Sequence, residues 1–452
     1  MAKNKVSYVC SNCHYETTGY FGKCPSCGSW GTLEEKTLDS DKVNTTKIIN
    51  NSTISKKLSE VDTNNTSRIL SDIGELNRVL GNGIVRDSVT IVTAKPGAGK
   101  STLLLQLSND LAKKGYKVLY ASGEESESQI KNRSNRINVD AENIWIMSTN
   151  SINDIENEVE KIDPDILIFD SIQTIVADDL PQKSGSPTQI NEVSSRIVRL
   201  SKYSNKKRAS FIVGQMTKAD ELAGVRTLEH LVDAVLILEA TSLDQIRTLY
   251  SSKNRYGDTG ELGFFEMTEA GLISIDNPSE FFVSKDDDGF GKALTVIRQG
   301  SRFIVGEIEA LVSKSFFPYP QRISDATRKD SLNILASIID ETTKLSLEDK
   351  NIILKATGGI KLDDTSADFA MAMSIISSYL KKPLNNDLAF CGELGLTGKI
   401  KKVQNIKGRI NELSRLGYKK VAVSQEQKIE NKKSNIEIIY IKNISEAIEI
   451  FF

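Results

Sequence analysis

"TAKPGAGKSTLLLQ", Thr93–Gln106, is the stretch on which the fold of this chain turns. Gly99-Lys100-Ser101 close the pattern of a phosphate-binding loop, a glycine, four residues and then Gly-Lys-Ser/Thr, but the opening position holds Ala94. The flanks decide how to read it. "SVTIVTA" before the loop is a β-branched apolar run of strand type, and "GKSTLLLQLSNDLAKKG" after it has helical periodicity and ends in Lys-Lys-Gly. A strand that feeds a helix through "KPGAG" points backbone N–H groups and a helix N-terminus at one place, as bound phosphates require. Gly97 and Gly99 lie where backbone must approach the ligand, whereas a methyl at Ala94 costs little if its φ is negative. Ala94, Lys95, Pro96, Gly97, Ala98, Gly99, Lys100, Ser101 and Thr102 are therefore the expected ATP cradle. Lys100 would reach the outer phosphates and Ser101 would bind magnesium.

Working outward, short apolar runs alternate with helical stretches from residue 67 to 280. "KVLYASGEE", "DILIFDS", "ASFIVGQ" and "AVLILE" are bounded by turn or charged residues, as buried parallel strands are. A βα succession of this kind predicts a doubly wound α/β sheet. Asp170 ends one such strand and is placed to hold the magnesium. Hydrolysis also needs a carboxylate that polarises water, and Glu124 or Glu125 at the tip of "YASGEES" can supply it; the residues alone do not choose between them.

In residues 1–36, "CSNC" and "CPSC" place Cys10, Cys13, Cys24 and Cys27 as two thiolate pairs ten residues apart, the spacing of a zinc ribbon. His14 beside Cys13 is read as a bystander, and Cys391 stands alone. Two histidines in 452 residues exclude most histidine-based acid–base or metal chemistry. Residues 37–66, rich in Ser, Thr, Asn, Asp and Lys, read as a linker, and residues 281–452 as a further domain with its own strands and amphipathic helices. With 58 basic against 60 acidic residues, a polyanion would have to be met by local patches. No apolar run is long enough to span a membrane and no apolar signal core opens the chain, so a soluble, cytoplasmic protein is expected.

Taken together these segments resemble the bacterial RadA (Sms) family, RecA-like and DnaB-like motors of recombinational repair. The resemblance runs over nearly the whole chain: "CPSCGSWGTLEE", "PGAGKSTLLLQ", "YASGEES", "LIFDSIQT", "LAGVRTLEHLVD", the pentapeptide "KNRYG" (Lys253–Gly257) and "NPSEFF". Beyond them, "GGIKLDDTSADFAMAMSIISS" and "GELGLTGKIKKV" are similar to the Lon protease domain. The implied architecture is a RecA-like doubly wound P-loop core with an N-terminal zinc ribbon and a C-terminal Lon-protease-like α+β domain. The implied activity is that of a DNA-dependent ATPase, a homo-hexameric ring that burns ATP between subunits and moves along single-stranded or branched DNA; a recombinase partner would fit. An ATP-gated clamp without translocation is the competing reading. The resemblance makes Glu124 the catalytic base and sends Lys253 and Arg255 across the subunit interface to a neighbour's phosphates.

Three positions depart from the family: Ala94, Tyr256 in place of the usual Phe, and Gln215 where a histidine is common. RecA has glutamine at that strand end, where it senses the terminal phosphate, so Gln215 joins the nucleotide-binding set. RecA-type motors hold DNA with loops that here fall near 176–190, with Lys183, and 216–227, with Lys218 and Arg226. A denser run, Lys399, Lys401, Lys402, Lys407 and Arg409, is a second candidate contact. Alignment with the Ser–Lys dyad of Lon places Ser366 at the serine and Lys407 at the lysine. Asp368 occupies the position where Lon has an open glycine, and a carboxylate beside a developing oxyanion argues against peptidase activity.

Overall fold

In the computed structural model the described residues are 6–13, 15–17, 19, 21–37, 57, 59, 68–215, 228–240, 245–284, 289–316, 319–429 and 436–452. His14, nearly all of the expected linker, and the 216–227 segment with Lys218 and Arg226 lie outside them. The chain divides into two compact units, Met1–Asn65 and Thr66–Phe452.

The first unit is a three-stranded antiparallel sheet in which β1 (Val6–Cys10) lies between β2 (Glu16–Thr17) and β3 (Leu33–Thr37). Its only buried cluster among the described residues is built around Cys10 and Cys24. A unit this short, centred on cysteine side chains, is of the size that a bound metal commonly staples.

The second unit begins with the short helix α1 (Gly74–Val79), after which the βα alternation follows. The strands are β4 (Val89–Ala94), β5 (Val118–Ser122), β6 (Ile144–Ser148), β7 (Ile166–Asp170), β8 (Ala209–Gln215) and β9 (Ala234–Ala240). The helices α2 (Lys100–Lys113), α3 (Glu127–Arg136), α4 (Ile152–Ile162) and α5 (Pro187–Val198) are set between them. Three antiparallel strands, β10 (Ile246–Asn254), β11 (Leu262–Thr268) and β12 (Gly271–Ser274), extend the sheet to the order β12-β11-β10-β9-β4-β8-β7-β5-β6. Alternate residues of β4 serve opposite layers: Val92 and Ala94 join one core with Leu103, Leu107 and Phe211, while Val89 and Ile91 join the other with Ile155 and Phe169. Both faces are therefore covered, which is why these strands read as continuous apolar runs.

The last lobe is a seven-stranded mixed sheet. Its members are β13 (Lys292–Gln299), β14 (Arg302–Lys314), β15 (Arg322–Ser324), β16 (Lys350–Ala356), β17 (Leu388–Cys391), β20 (Lys420–Ser424) and β21 (Glu437–Ile441), with β18 (Glu393–Leu394) and β19 (Ile400–Lys401) as a separate hairpin. The helix Asp368–Leu380 is buried almost all round, as its Ala/Met/Ile-rich sequence demands. This lobe is not an appendage. Ile246, Phe264, Ile275 and Phe282 share one apolar cluster with Ile304, Ile308 and Phe369, and the Phe264 and Phe282 rings meet edge-on at 5.7 Å.

Candidate active site and metal centre

All parallel strands of the first sheet end at one edge, and the chemistry collects there. Ala94, the last residue of β4, pairs with Gln215 on β8 and Leu238 on β9. Ser122 at the end of β5 pairs with Asp170 at the end of β7. Ala94 sits inside a strand, where no positive φ is needed, so a methyl fits the position that a glycine usually opens. Gly97 and Gly99 do require glycine, with φ of +80° and +108°. A Cβ on Gly99 would also come within 2.5 Å of the Met267 methyl.

Lys100 Nζ donates to the Ala94 carbonyl at 3.1 Å, so the lysine lies back along the loop. Burial holds its pKa below the usual ammonium value, and the negative charges of Asp170 and Glu124 oppose that shift. Ser101 and Thr102 occupy the first turn of α2 and are half-buried. Asp170, almost fully buried, accepts a 2.6 Å hydrogen bond from the buried Tyr120 hydroxyl. Burial and the adjacent carboxylate push that phenol's pKa well up, so Tyr120 acts as a donor that orients Asp170.

The two glutamates after β5 go different ways. Glu124 Oε1 accepts hydrogen bonds from Ser171 Oγ and, at 2.9 Å, from Gln215 Nε2. Glu125 turns to α3 and pairs with Arg133, and its backbone carbonyl accepts from Ser148 Oγ at 3.1 Å. Lys100, Asp170, Glu124 and Gln215 thus come together with the loop; Glu125 does not. A short lysine-bearing loop backed by two carboxylates fits a magnesium nucleotide, because the metal offsets phosphate charge that the carboxylates would otherwise repel. Two members of this neighbourhood were missed in the sequence reading. Ser171 is signalled only by its adjacency to Asp170. Arg247 of β10, whose Nε donates to the Ala98 carbonyl at 3.3 Å, has no local signal because strand order alone brings it there.

Lys253 and Arg255 lie elsewhere. β10 runs antiparallel to β9, with Asn254 opposite Ala234, so the "KNRYG" turn sits at the other end of the sheet. Arg255 N donates to the Asp233 carbonyl at 3.0 Å, and Asp233 N to the Val89 carbonyl at 2.9 Å, at the start of β4. From Val89 to Ala94 is roughly 17 Å of strand at ~3.3 Å per residue, farther than an arginine side chain extends. The Arg255 guanidinium, about half exposed, rests 3.3 Å from Asp233 Oδ1. Lys253 Nζ donates to the Glu229 carbonyl, and its pKa is held down by partial burial and by Arg255.

The loop 176–186 is tied down. Gln189, fully buried, accepts from Ala177 N and donates to the carbonyls of Ala177, Leu180 and Gln182. Asp178 accepts from Ser151 Oγ, and Asp179 pairs with Arg196 at 2.5 Å.

In the ribbon, the four Sγ atoms of Cys10, Cys13, Cys24 and Cys27 lie within 4.8 Å of one another, with Cys10–Cys27 at 3.7 Å and Cys13–Cys24 at 3.6 Å. Ligands at about 2.3 Å from one zinc ion are about 3.8 Å apart along a tetrahedral edge. The thiolates fit zinc. Metal analysis of protein purified without chelator should give one zinc per chain, and Cys24→Ala should abolish it; stoichiometric zinc in that variant would refute the ligand set.

The C-terminal lobe corrects two expectations. First, Lys407 does not face Ser366. The helix Ile406–Arg415 turns by about 100° per residue, so residues 407 and 409 point roughly oppositely, and it is Arg409 that is buried at 3% exposure against the serine. Arg409 Nη1 donates to Ser366 Oγ at 2.8 Å and Nη2 to Asp364 at 2.7 Å, while Ser366 Oγ donates to the Val296 carbonyl at 3.1 Å. An arginine cannot be deprotonated to activate a serine. Second, the basic run is not a free patch: Lys399 pairs with Glu426, Lys401 with Glu393 at 2.8 Å, and Arg409 is internal. Lys402 and Lys407 remain exposed.

Asp368 adds a pH dependence. Burial, with Glu393 and Asp364 nearby, pushes its pKa up to about 7, against a bond from Leu394 N that lowers it. A folded-state value above the unfolded one means stability present below pH ~4 and lost as pH rises through ~7. Asp368→Asn should therefore melt progressively higher than the parent between pH 5 and pH 8, by a few degrees. A constant difference across that range would remove the titration from Asp368.

A nine-stranded sheet with this loop and these carboxylates at the parallel-strand edge, joined to a four-thiolate ribbon, defines a RecA-like P-loop ATPase with a zinc ribbon and a Lon-like terminal lobe. The family models agree: an AAA domain matches residues 55–202, a rubredoxin metal binding domain 8–35, and the ChlI subunit of Mg-chelatase 323–427. The chain is 41% identical over 423 residues to the DNA repair protein RadA of Streptococcus pyogenes serotype M3, covering 93% of each, and 36% identical over 454 residues to that of Bacillus subtilis strain 168, covering 99% of each. It belongs to the RadA family of DNA repair proteins. A KaiC-like protein of Pyrococcus horikoshii matches 46% of the chain at 18% identity with a TM-score of 0.39, a likeness too slight to bear on function. Among the described residues no helix is long and apolar enough to cross a membrane.

Proposed function

We propose that this chain is a DNA-dependent ATPase of recombinational repair, working as a ring whose subunits hydrolyse ATP at their interfaces to drive branch migration or strand separation. The observation that carries the reading is the separation of the finger turn from the loop. Arg255 lies roughly 17 Å of strand from its own phosphate loop at ~3.3 Å per residue, so a role in phosphate chemistry requires a neighbour. The loop backbone and Lys100 bind the outer phosphates, and Ser101 with Asp170 holds magnesium, which neutralises phosphate charge. Glu124, oriented by Ser171 and Gln215, accepts the proton of the attacking water. Arg255 and Lys253 of the adjacent subunit offset the charge that develops as the terminal phosphoryl leaves. Gln215 donates to Glu124, and in this reading it senses the state of the terminal phosphate. Peptidase activity is not part of the proposal, since Arg409 occupies the serine's base position.

Turnover with and without single-stranded DNA, measured alongside branch migration on a three-strand intermediate, tests the reading. Stimulation by DNA together with ATP-dependent migration is expected. DNA binding gated by ATP, with turnover indifferent to DNA and no migration, would instead support a clamp.

A further inference from the structure

The finger turn is wedged from behind by α1, and α1 is held by the Lon-like lobe. Glu75, buried in α1 at 2% exposure, accepts from Phe264 N on β11 at 2.9 Å and from Arg302 Nη1 on β14 at 2.8 Å. Arg302 Nη2 also donates to the Asp276 carbonyl at 2.8 Å. At the other end of this six-residue helix, the Val79 carbonyl accepts from Asn254 Nδ2 at 3.2 Å, and Asn254 Oδ1 accepts from Tyr256 N at 2.9 Å inside the turn. Gly81, just past α1, packs so closely on the turn that a Cβ there would come within 2.9 Å of Gly257 Cα. Arg68 ties the same block together, donating to the carbonyls of Leu80, Gly83 and Tyr256. A buried carboxylate with a charged partner from another lobe is a poor way to gain stability alone, which makes a specific geometric role the better account of it.

We propose that Glu75 and Arg302 are positioning residues for the Lys253–Gly257 turn: the Lon-like lobe grips α1 through this ion pair, and α1 in turn sets where Arg255 is presented to the neighbouring subunit. The inference rests on the trans role proposed above for Arg255. A shift of the turn by about an ångström would lower turnover on the order of ten- to a hundredfold, without touching the loop that binds ATP.

The test uses the full chain with Glu75→Gln and Arg302→Gln together, which removes both charges of the pair and keeps an acceptor for Phe264 N. Arg78, 3.6 Å from Glu75 Oε1, loses its carboxylate partner but is partly exposed to water. Turnover per bound nucleotide is expected to fall on the order of tenfold or more, with affinity for a fluorescent ATP analogue unchanged. Mixing this variant with Lys100→Ala should restore activity, because its intact loop then meets an intact turn. A merely structural defect would reduce the folded fraction and would not be rescued. The Arg255→Ala and Lys100→Ala mixture serves as the reference. If that pair is rescued and the Glu75/Arg302 variant is not, or if the variant turns over normally, the inference is wrong while the trans reading stands. If neither mixture recovers although subunits exchange, the trans reading falls and takes the inference with it. Should the double variant fail to fold, Arg302→Lys keeps the charge but loses the forked contact to Asp276, and the same pattern is expected at smaller amplitude.

Discussion

Replacing Arg255 by alanine is expected to lower ATP turnover on the order of a thousandfold while leaving nucleotide affinity nearly unchanged. In its own subunit the guanidinium rests on Asp233, at the end of the sheet away from the phosphate loop. It therefore adds nothing to binding in cis. On the proposed trans reading its contribution comes from a neighbouring interface, and mainly as charge develops on the departing phosphoryl group, so the loss should appear in kcat rather than in binding. Complementation checks the assignment. A ring mixing Arg255→Ala with Lys100→Ala contains interfaces where one subunit's intact loop meets another's intact finger, and those interfaces should work. An intramolecular role predicts no recovery at any ratio, since every subunit would carry a complete defect. Subunit exchange has to be demonstrated separately, by labelled subunits for example. With exchange shown and no recovery found, the ring reading would give way to the clamp.

Lys100→Ala should abolish hydrolysis, and Glu124→Gln should slow it on the order of a hundredfold or more while retaining ATP. In the proposed role the lysine stabilises phosphate charge in ground and transition states alike, so its loss should weaken both binding and turnover. The proposed role of the glutamate is to act on water, and the isosteric amide keeps an acceptor for Ser171 while losing the basicity. Glu125→Gln is the control. Its carboxylate is engaged with Arg133 of α3, so turnover should stay near the parent value. Normal hydrolysis by Glu124→Gln with a large loss in Glu125→Gln would reverse the assignment. Single-turnover measurements alongside titration of a fluorescent nucleotide separate the two effects.

Some of this was readable from residues in order. The loop, the strands around it and the paired cysteines are local features: their geometry depends on neighbours within a few positions, where strand and helix periods and turn residues dominate. That is why Ala94 could be accepted at a glycine position from its flanks, and why Cys10, Cys13, Cys24 and Cys27 could be grouped before any fold was known. Other features depend on how distant segments meet. Glu124 and Glu125 are adjacent and chemically alike, and only the positions of Ser171, Gln215 and Arg133 separate them. Lys407 and Arg409 are two residues apart, and the phase of one helix decides which is buried against Ser366. The basic run near residue 400 looks like an anion site in one dimension, yet Glu426 and Glu393 are folded onto it.

By itself, then, the sequence determined the class of fold, the phosphate loop, the thiolate ligands and the family, because each is written in short-range pattern. The tertiary structure alone decided which carboxylate faces the loop, which cation lies against Ser366, and that the Lys253–Gly257 turn lies at the far end of its own sheet. Those outcomes are set by strand order and register and by helix phase, quantities that fix distances between residues far apart in the chain and leave no mark on the residues themselves.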